Sequence, residues 1–391
     1  YRGNINVSGS GKLIAETLPD IGFSFGIYII SGNLTVKDSA FVSATASGAI
    51  NISNGDLKLS GGKISVLGTN DAASAVTIAK NIFATANGNI EVSGGEFECA
   101  GGIYMDSYHA KEGQAVFSVT GGKVTTSHIY GPDKLTISGG TVVSGRVNAN
   151  TVLLQNGSLT VREAVHMYPN RGDVMYASHA IYCKNLTVSG GVLDAAWDWD
   201  EYTPIAFPAG WYSDDYVQPL IKIPGGTASF SGGTVKFDAG CAGNTVIKAE
   251  TLSLTGGVRG SGYTNEDGSD TYIQKDSDKP VEFSVQPADY SSVDNAIAKA
   301  NALNKDEYKD FSAVQAAMDA VVRGKNIDEQ AAVDTMAKAI EDAIAAIERR
   351  PSEPQKDTAD NDSFLLLAAL AFISGGAFVG AAKLIKKGNI F

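Results

Sequence analysis

The sequence predicts a mainly β protein: a right-handed parallel β-helix (solenoid), followed by a small three-helix bundle and a single C-terminal transmembrane helix. Three observations support this fold class. A phrase with two glycines recurs along the first part of the chain, helical periodicity replaces it later, and an uncharged apolar stretch comes last. The predicted parts are the β-helix (1–286), the bundle (287–348), an acidic, proline-containing linker (349–362), the transmembrane helix (363–383) and a cytoplasmic tail (384–391).

The recurring phrase reads apolar-x-apolar-[Ser/Thr]-Gly-Gly-x-apolar. Its Ser or Thr falls at Ser60, Ser93, Thr120, Ser138, Ser189 and Ser231. In the copy at Ser138, Leu135 and Ile137 alternate with a polar residue as in a strand, and Val142 begins a new strand after the glycines. Glycine suits the corner between them, because the backbone there needs a positive φ or a close approach to a neighbouring segment.

A second ladder of apolar residues precedes many copies by five to seven residues. Its members are Ile27, Ile50, Phe83, Ile129, Val147, Ile181, Ile221 and Ile247. Each repeat therefore has three short strands, and the tightest repeats, at Thr120, Ser138 and Gln155, are 18 and 17 residues apart. Three strands in that length predict one coil of a parallel β-helix. A β-sandwich of hairpins is the alternative, although it favours two-residue Asn-Gly or Asp-Gly turns.

Unequal intervals between the copies predict insertions. Three of them, at 64–83, 159–181 and 193–221, leave the same corner, the turn after the third strand, and a fourth lies at 103–117. Insertions at one corner of successive coils project from one edge. We therefore expect the second and third insertions to stand side by side.

Helical periodicity begins after Pro287, with a helix stop at Gly324 and a helix start at Asp328. The segment from Asp289 to Glu348 resembles the FIVAR module of bacterial surface proteins. The resemblance lies in an Ala-rich first helix, an acidic-Tyr entry to the second helix and a closing Ala- and Ile-containing helix, with Met336 where the module usually has Leu. It implies a three-helix stalk or spacer.

The C-terminal region contains "SFLLLAALAFISGGAFVGAA", which is long enough to cross a bilayer as a helix. Aspartates precede it and lysines follow it, so the lysine tail is predicted to be cytoplasmic and the bulk of the chain extracellular. A buried core helix is the alternative. Export requires a signal, and the chain opens "YRGNINVSG", so we expect a mature or truncated chain.

The order of these parts resembles that of modular cell-surface proteins of Gram-positive bacteria, whose β-helix domains bind carbohydrate. In such proteins an LPxTG-type motif precedes the apolar span and directs attachment to the cell wall. Here three residues separate Pro354 from Thr358, and Ala359 replaces the glycine. The resemblance therefore implies retention in the plasma membrane, with cell-wall attachment as the alternative.

Composition excludes two kinds of partner or site. The net charge of −12 supplies no basic stripe for nucleic acid. The three cysteines, Cys99, Cys183 and Cys241, lie far apart and form no zinc or disulfide pattern, so they read as small buried apolar residues.

The insertions carry the candidate ligand-binding residues. Aromatic faces stack on the apolar side of sugar rings, and neighbouring polar groups bond to hydroxyls. The candidates are Trp197, Trp199, Tyr202, Trp211, Tyr212, Asp214 and Asp215, with His166, Tyr168, Arg171 and Tyr176 from the neighbouring insertion. The same aromatics could instead anchor a long loop to the domain, or bind a host protein.

Catalytic and metal sites have weaker support in the sequence. Asp214 and Asp215 could supply the two carboxylates of a glycoside hydrolase, but adjacent acidic residues in a loop are far more often an ordinary acidic turn. Asp198, Asp200 and Glu201 are weak Ca²⁺ candidates, because they lack the spacing of an EF-hand loop. No catalytic residue and no other cofactor is predicted.

These observations predict a surface-anchored, non-enzymatic protein that binds host or plant glycans, or acts as an adhesin, through its insertions. The alternative is a polysaccharide lyase or glycoside hydrolase.

Overall fold

The computed structural model describes residues 1–16, 25–45, 48–66, 82–84, 88–105, 115–168, 174–177, 179–198, 218–265 and 271–351. In these residues the protein is mainly β, with three α-helices near the end. The first strands are β1 (Ile5–Val7), β2 (Lys12–Glu16), β3 (Phe25–Ile29), β4 (Leu34–Val36), β5 (Phe41–Thr45), β6 (Gly48–Ile52), β7 (Leu57–Val66), β8 (Ile82–Ala84), β9 (Ile90–Met105), β10 (Val116–Val119) and β11 (Lys123–Tyr130). They are followed by β12 (Lys134–Ile137), β13 (Thr141–Leu154), β14 (Ser158–Tyr168), β15 (Val174–Ala177), β16 (Ile181–Asp198), β17 (Ile221–Asp238), β18 (Thr245–Leu254), β19 (Val258–Ser261), β20 (Tyr263–Asn265), β21 (Thr271–Gln274) and β22 (Val281–Val285).

Equivalent segments of successive repeats lie side by side in parallel. Leu135 of β12, for example, pairs with Phe117 of β10 on one side and with Val152 of β13 on the other. Alternate residues of these strands enter one continuous apolar core, in which Leu135, Ile137 and Val142 are fully buried. The side chains between them face outward, as the two-residue period of a strand requires.

The glycine pairs allow neighbouring segments to approach closely. Gly95 has a φ of 76°, in the left-handed region that favours glycine. At Gly94 the requirement is space, since a Cβ there would lie 2.6 Å from the carbonyl oxygen of Ser60 in the adjacent strand. Both reasons that the sequence gives for a glycine corner therefore apply, because Gly95 has a positive φ and Gly94 lies close to a neighbouring strand.

Five strands close into a parallel barrel. β9 pairs with β10, β10 with β12, β12 with β13, β13 with β11, and β11 with β9 again. This closed five-stranded barrel replaces the predicted β-helix solenoid, so that prediction is wrong. The prediction assumes that a strand ends at every glycine pair. Instead, β9 continues through Gly94 and Gly95, pairing with β10 before them and with β11 after them, and β13 likewise joins two ladders.

The register also corrects one member of the predicted apolar ladder. Ile82, and not Phe83, pairs with Ile50 and with Ile103. Phe83 pairs with Asn51 and Tyr104 instead, one position further along the strand. The ladder of paired positions that contains Ile50 and Ile103 therefore passes through Ile82.

The C-terminal end of the sheet is covered by antiparallel strands. β22 pairs with β17 and β19, and β21 pairs with β18 and β20. Phe283 of β22 stacks on Phe230 at a centroid distance of 4.9 Å and meets Phe237 edge to face at 6.3 Å. These strands therefore pair with part of the backbone edge at this end of the domain and cover its aromatic core.

The helices are α1 (Ser291–Asn301), α2 (Ser312–Asp319) and α3 (Gln330–Ala346). They enclose a separate apolar cluster that includes Val293, Val314 and Ile340, all fully buried. The turn before α3 is held by a capping box between Asn326 and Glu329, two residues earlier than the predicted start at Asp328.

Asp328 instead joins the bundle to the β domain. One carboxylate oxygen accepts a hydrogen bond from the backbone N–H of Gly257 at 2.5 Å, and the other pairs with the guanidinium of Arg259 at 2.6 Å. The N–H of Ile327 also donates to the carbonyl of Gln286 at 2.9 Å.

No helix in the described part of the chain is both long and apolar enough to cross a bilayer. The transmembrane element of the predicted fold class therefore has no counterpart among these residues. The predicted span (363–383), the tail (384–391) and all but the beginning of the linker lie outside them.

Candidate functional site

A row of residues, one per strand, runs across β3, β6, β8 and the equivalent parts of the later strands. Each member pairs in register with the next. We call it the tyrosine row; its members, in order, are Tyr28, Asn51, Phe83, Tyr104, Tyr130, Asn148, Tyr182, Lys222 and Lys248. Strands in a sheet lie about 4.8 Å apart, so the row is a regular array of residues at that spacing.

The alternation of the strands places this row outside. Ile27 and Ile29 on either side of Tyr28 are buried, whereas Tyr28 is exposed. Ile181 and Cys183 are buried on either side of the half-buried Tyr182. The apolar inner ladder and the tyrosine row are thus successive residues of the same strands.

Aromatic rings come together at the middle of the row. The rings of Tyr104 and Tyr130 have centroids 5.9 Å apart and an interplanar angle of 44°. Tyr104 also meets the ring of His128 edge to face at 4.8 Å. Tyr130 is 50% exposed and is the most accessible tyrosine of the row. Its ring offers an apolar surface to solvent beside two further rings.

A hydrogen-bond chain fixes His128. Ser127 donates its hydroxyl to the carbonyl of Gly101, so its oxygen accepts from His128 Nδ1–H at 2.9 Å. His128 Nε2 then accepts the hydroxyl of Tyr104. Burial lowers the pKa of His128, and the charge of Arg146 lowers it further. The imidazole is therefore kept in the neutral form that can both donate to Ser127 and accept from Tyr104. Burial raises the pKa of Tyr104, which keeps its proton on the phenol.

Arg146 lies next to His128 in register and forms an ion pair with Glu163, a buried carboxylate. Its Nε is buried and finds no hydrogen-bond acceptor among the described residues. A buried carboxylate is tolerated only when it is paired, so Glu163 holds the guanidinium in place beside the row.

His179 supports the other end of the row. Its ring lies 5.6 Å from that of Tyr182, at an interplanar angle of 33°. Nδ1–H of His179 donates to the carbonyl of Pro219 at 2.7 Å, which ties together the chain segments that lead into β16 and β17. Burial lowers the pKa of His179, so it too is held neutral. Lys222 and Lys248 follow Tyr182 in register and give this end of the row positive charge.

The predicted insertions attach at the ends of the strands that carry the row. The insertions after β7 and β16 return at β8 and β17, immediately before Phe83 and Lys222. The insertion after β14 contains β15 and returns immediately before Tyr182, and the one after β9 begins directly beyond Tyr104 and Met105. The attachment points therefore flank the tyrosine row on both sides.

Of the predicted binding residues, Trp197 is 3% exposed and belongs to the apolar core. Together with Leu193 and Ala195, it lies on the side of β16 that faces the core, and so it anchors the strand there. His166 and Tyr168 lie on β14 and Tyr176 on β15, in an antiparallel hairpin that pairs His166 with Tyr176. Outside the described residues lie Trp199, Tyr202, Trp211, Tyr212, Asp214, Asp215 and Arg171.

Of the weak Ca²⁺ candidates, Asp198 ends β16, whereas Asp200 and Glu201 lie outside the described residues. Within the described residues, no three His, Cys, Asp or Glu side chains are grouped to hold a metal ion.

The sequence contains a signal for the tyrosine row that lies in the repeats and not in the insertions. Every inner-ladder residue is followed directly by a row residue, as in Ile27-Tyr28, Ile129-Tyr130 and Ile181-Tyr182. The row is found by asking which residues of each strand alternate with the apolar ladder.

Comparison of the chain with protein-family models, curated proteins and solved structures finds no match. The chemistry of the tyrosine row and of the insertions beside it is therefore the basis for a functional proposal.

Proposed function

We propose that the protein is a non-enzymatic, cell-surface glycan-binding protein whose tyrosine row forms the floor of the binding face. The observation that carries the proposal is the in-register array of Tyr104, Tyr130 and Tyr182 on parallel strands of one domain. Aromatic rings present apolar area with little loss of side-chain freedom and a hydroxyl at the edge, which suits the C–H face and the hydroxyls of a sugar ring.

Polar members of the row complement the rings. Asn51 and Asn148 are half-buried amides of the row, and amides offer both donors and acceptors to sugar hydroxyls. The Oδ1 of Asn51 also accepts a hydrogen bond from the hydroxyl of Ser53 at 3.1 Å. The regular spacing favours an extended polysaccharide over a single small sugar, because successive strands repeat the same kind of contact.

The insertions supply the rim of this face. By sequence they bring Trp199, Trp211, Tyr202, Tyr212, Asp214 and Asp215, together with Arg171. Their attachment points beside Phe83, Tyr104, Tyr182 and Lys222 support a rim close to the row. Trp197 is left out of the binding set, because its indole is buried.

The test is a glycan array probed with the full chain and with Tyr130→Ala. We expect the variant to bind the same glycans about fivefold more weakly, since one exposed ring contributes about 1 kcal/mol. Val192→Ala is the matched control, because Val192 is 47% exposed in the same domain but outside the row. Equal binding by both variants, or no glycan binding together with retained binding to host cells, would overturn the proposal.

A double variant tests the contribution of the insertions. Trp199→Ala combined with Trp211→Ala should weaken binding without changing the melting temperature, since neither replaces the buried Trp197. Unchanged affinity in the double variant would restrict the binding site to the tyrosine row.

We further propose that the bulk of the protein is extracellular and that the apolar residues 363–382 retain it at the plasma membrane. The support is the uncharged stretch between aspartates and lysines. Digestion of intact cells with a protease should remove the β domain and leave the tail; complete protection would contradict this location.

A polysaccharide lyase or glycoside hydrolase is the second candidate function. It is favoured by one observation, the hydrogen bond between the phenol of Tyr104 and neutral His128, a combination suited to moving a proton. Incubation with pectin and host polysaccharides, followed by assay for new reducing ends or unsaturated products, separates it from simple binding. Activity that is lost in His128→Ala would favour the enzyme.

A further inference from the structure

One copy of the repeat differs from the others at its corner. The six copies named above carry two glycines there, whereas the copy at Gln155 has Asn156 followed by Gly157. Gly157 keeps a positive φ of 78°, like the second glycine of the other corners. Asn156 is exposed, in the turn between β13 and β14. This corner therefore joins an accessible amide side chain to a glycine, whose backbone nitrogen no Cβ shields.

The side chain of Asn156 folds back on its own backbone. The N–H of Gly157 donates to the Oδ1 of Asn156 at 2.8 Å. Since Cγ is bonded to Oδ1 over about 1.2 Å, Cγ lies within about 4 Å of the Gly157 nitrogen. In the described part of the chain, this N–H makes no hydrogen bond to the backbone of a neighbouring strand. A backbone nitrogen that the sheet does not hold is thus kept close to a carbonyl carbon.

We propose that Asn156 is a site of intrinsic deamidation, which the folded chain undergoes without an enzyme. Base removes the amide proton of Gly157, and the nitrogen then attacks Cγ of Asn156, so that a new C–N bond closes a succinimide ring. The bond from Cγ to the side-chain nitrogen breaks, and that nitrogen takes up protons and leaves as ammonia. Water adds to either ring carbonyl and opens the ring to aspartate or isoaspartate. The net reaction consumes one water and releases one ammonia.

A second Asn-Gly pair provides a comparison within the same domain. Asn54 is exposed like Asn156 and is followed by Gly55. The carbonyl of Asn54 accepts from the N–H of Gly32 at 2.9 Å, which fixes the peptide group between Asn54 and Gly55. Among the described residues, the N–H of Gly55 donates to no side chain. The local sequence is the same at the two sites, but only at Asn156 are the reacting atoms held together.

The peptide group between Asn156 and Gly157 is less restrained. No backbone N–H of the described residues donates to the carbonyl of Asn156. The peptide group can therefore turn so that its nitrogen faces Cγ without breaking a bond of the sheet. Effective catalysis by proximity needs the reacting atoms about 3–3.5 Å apart, which this rotation provides.

The strand that follows in the sheet, β16, packs directly on this corner. A Cβ on Gly190 would lie 2.2 Å from the carbonyl oxygen of Gln155, and one on Gly191 would lie 2.9 Å from the carbonyl carbon of Asn156. The N–H of Val192 donates to the carbonyl of Gly157 at 2.9 Å. Isoaspartate lengthens the main chain by one methylene, and so close a contact leaves no room for it. Deamidation at this corner therefore loosens β16 from it.

The test is incubation of the full 391-residue chain at mildly alkaline pH, followed by proteolysis and mass spectrometry. Proteolysis in heavy-oxygen water labels any deamidation that occurs during digestion. Synthetic peptides with aspartate or isoaspartate at position 156 identify the two products. In the folded chain Asn156 should react about tenfold faster than Asn54, because proximity accelerates only the first.

The chain unfolded in urea separates geometry from local sequence. Both Asn-Gly pairs are then flexible, so their rates should agree within about twofold. Asn156→Gln is the matched variant of the folded chain, because its longer side chain has to close a larger ring. It should leave position 156 unmodified while Asn54 reacts at its own rate, and circular dichroism shows that the variant folds.

Hydrogen exchange measures the consequence for β16. In the isoaspartate form, separated by chromatography, the amide of Val192 should exchange faster than in the fresh chain. The amide of Lys63 is the control, because it donates to the carbonyl of Ala40 at 2.9 Å at the equivalent place of a distant corner.

The proposal fails if Asn156 reacts no faster than Asn54 in the folded chain, if the same excess persists in urea, or if Asn156→Gln is modified equally. Unchanged exchange of Val192 in the isoaspartate form would overturn the loosening of β16. The reaction needs no ligand, so it stands or falls separately from glycan binding.

Discussion

The glycine pair of the repeat offers a prediction in which two physical causes are separated by substitution. Gly95 has a φ of 76°, and a Cβ there would lie 2.5 Å from the carbonyl oxygen of Gly62. Gly94 does not have a positive φ, but its Cβ would lie 2.6 Å from the carbonyl oxygen of Ser60. Gly225 has a φ of 66° with nothing within 4 Å of an added Cβ. Gly225→Ala therefore imposes only backbone strain, and Gly94→Ala imposes only a steric conflict. Gly95→Ala imposes both.

The magnitudes follow from the same geometry. Alanine in the left-handed region costs about 1–2 kcal/mol, which is the expected loss for Gly225→Ala. Forcing a methyl group against a backbone oxygen in a packed domain costs about 1–3 kcal/mol, which applies to Gly94→Ala. Gly95→Ala should lose about 2–5 kcal/mol, because the backbone strain and the steric conflict both apply there. The reduced freedom of the unfolded chain is common to all three and cancels between them.

Urea unfolding followed by far-UV circular dichroism measures these losses. If the slope with denaturant stays constant, shifts of the midpoint report stability alone. We expect Gly95→Ala to lose more free energy of unfolding than either Gly94→Ala or Gly225→Ala. This expectation is refuted if Gly95→Ala is no more destabilising than Gly225→Ala, or if Gly94→Ala falls within about 0.5 kcal/mol of the unsubstituted chain.

Three further predictions concern other parts of the molecule. Phe283→Ala should lower the free energy of unfolding by about 3–5 kcal/mol, because the ring is fully buried in the closing aromatic cluster; a loss below about 1 kcal/mol contradicts this. The hydrogen bond and ion pair with Arg259, then the hydrogen bond from Gly257, lower the pKa of Asp328. Their stabilisation is therefore present above the unfolded carboxyl pKa of about 3.9 and is lost as the pH falls through the folded value. Hydrogen exchange of the Gly257 amide should accelerate over that window relative to Asp328→Asn. Burial raises the pKa of Cys183 to about 12, so mass spectrometry after iodoacetamide treatment at pH 8 should find Cys183 unmodified and the more accessible Cys241 alkylated.

The local part of the fold could be predicted from the sequence, whereas its closure could not. Leu135, Ile137 and Val142 were assigned inward by the alternation around Ser138, and all three are fully buried. Alternation is a property of neighbouring residues and is therefore visible in one copy of the repeat. Whether β9 breaks or continues at Gly94 depends on hydrogen bonds to other strands, which lie far away in sequence, and this decides between a solenoid and a closed barrel.

The candidate site shows the same division. Trp197 was a candidate because of its residue type. It follows Leu193 and Ala195 at alternate positions of the strand, so it lies on their side, facing the core, and is buried. Tyr130 and Tyr182 directly follow Ile129 and Ile181, which the sequence places on strands, and so they lie on the opposite face of those strands. Composition indicated where aromatic residues are abundant, but register determines which of them a ligand can reach.

The core and the candidate binding face are encoded by alternate residues of the same strands. Ile129 and Ile181 fill the interior, and Tyr130 and Tyr182 follow them on the surface, so the spacing that packs the core also sets the spacing of the rings. A change in a row side chain leaves the inner ladder intact, while a change in a glycine such as Gly94 moves one strand relative to the next and alters both. The repeat therefore acts on function indirectly: it holds the row in register, and the outward residues determine what the row can bind.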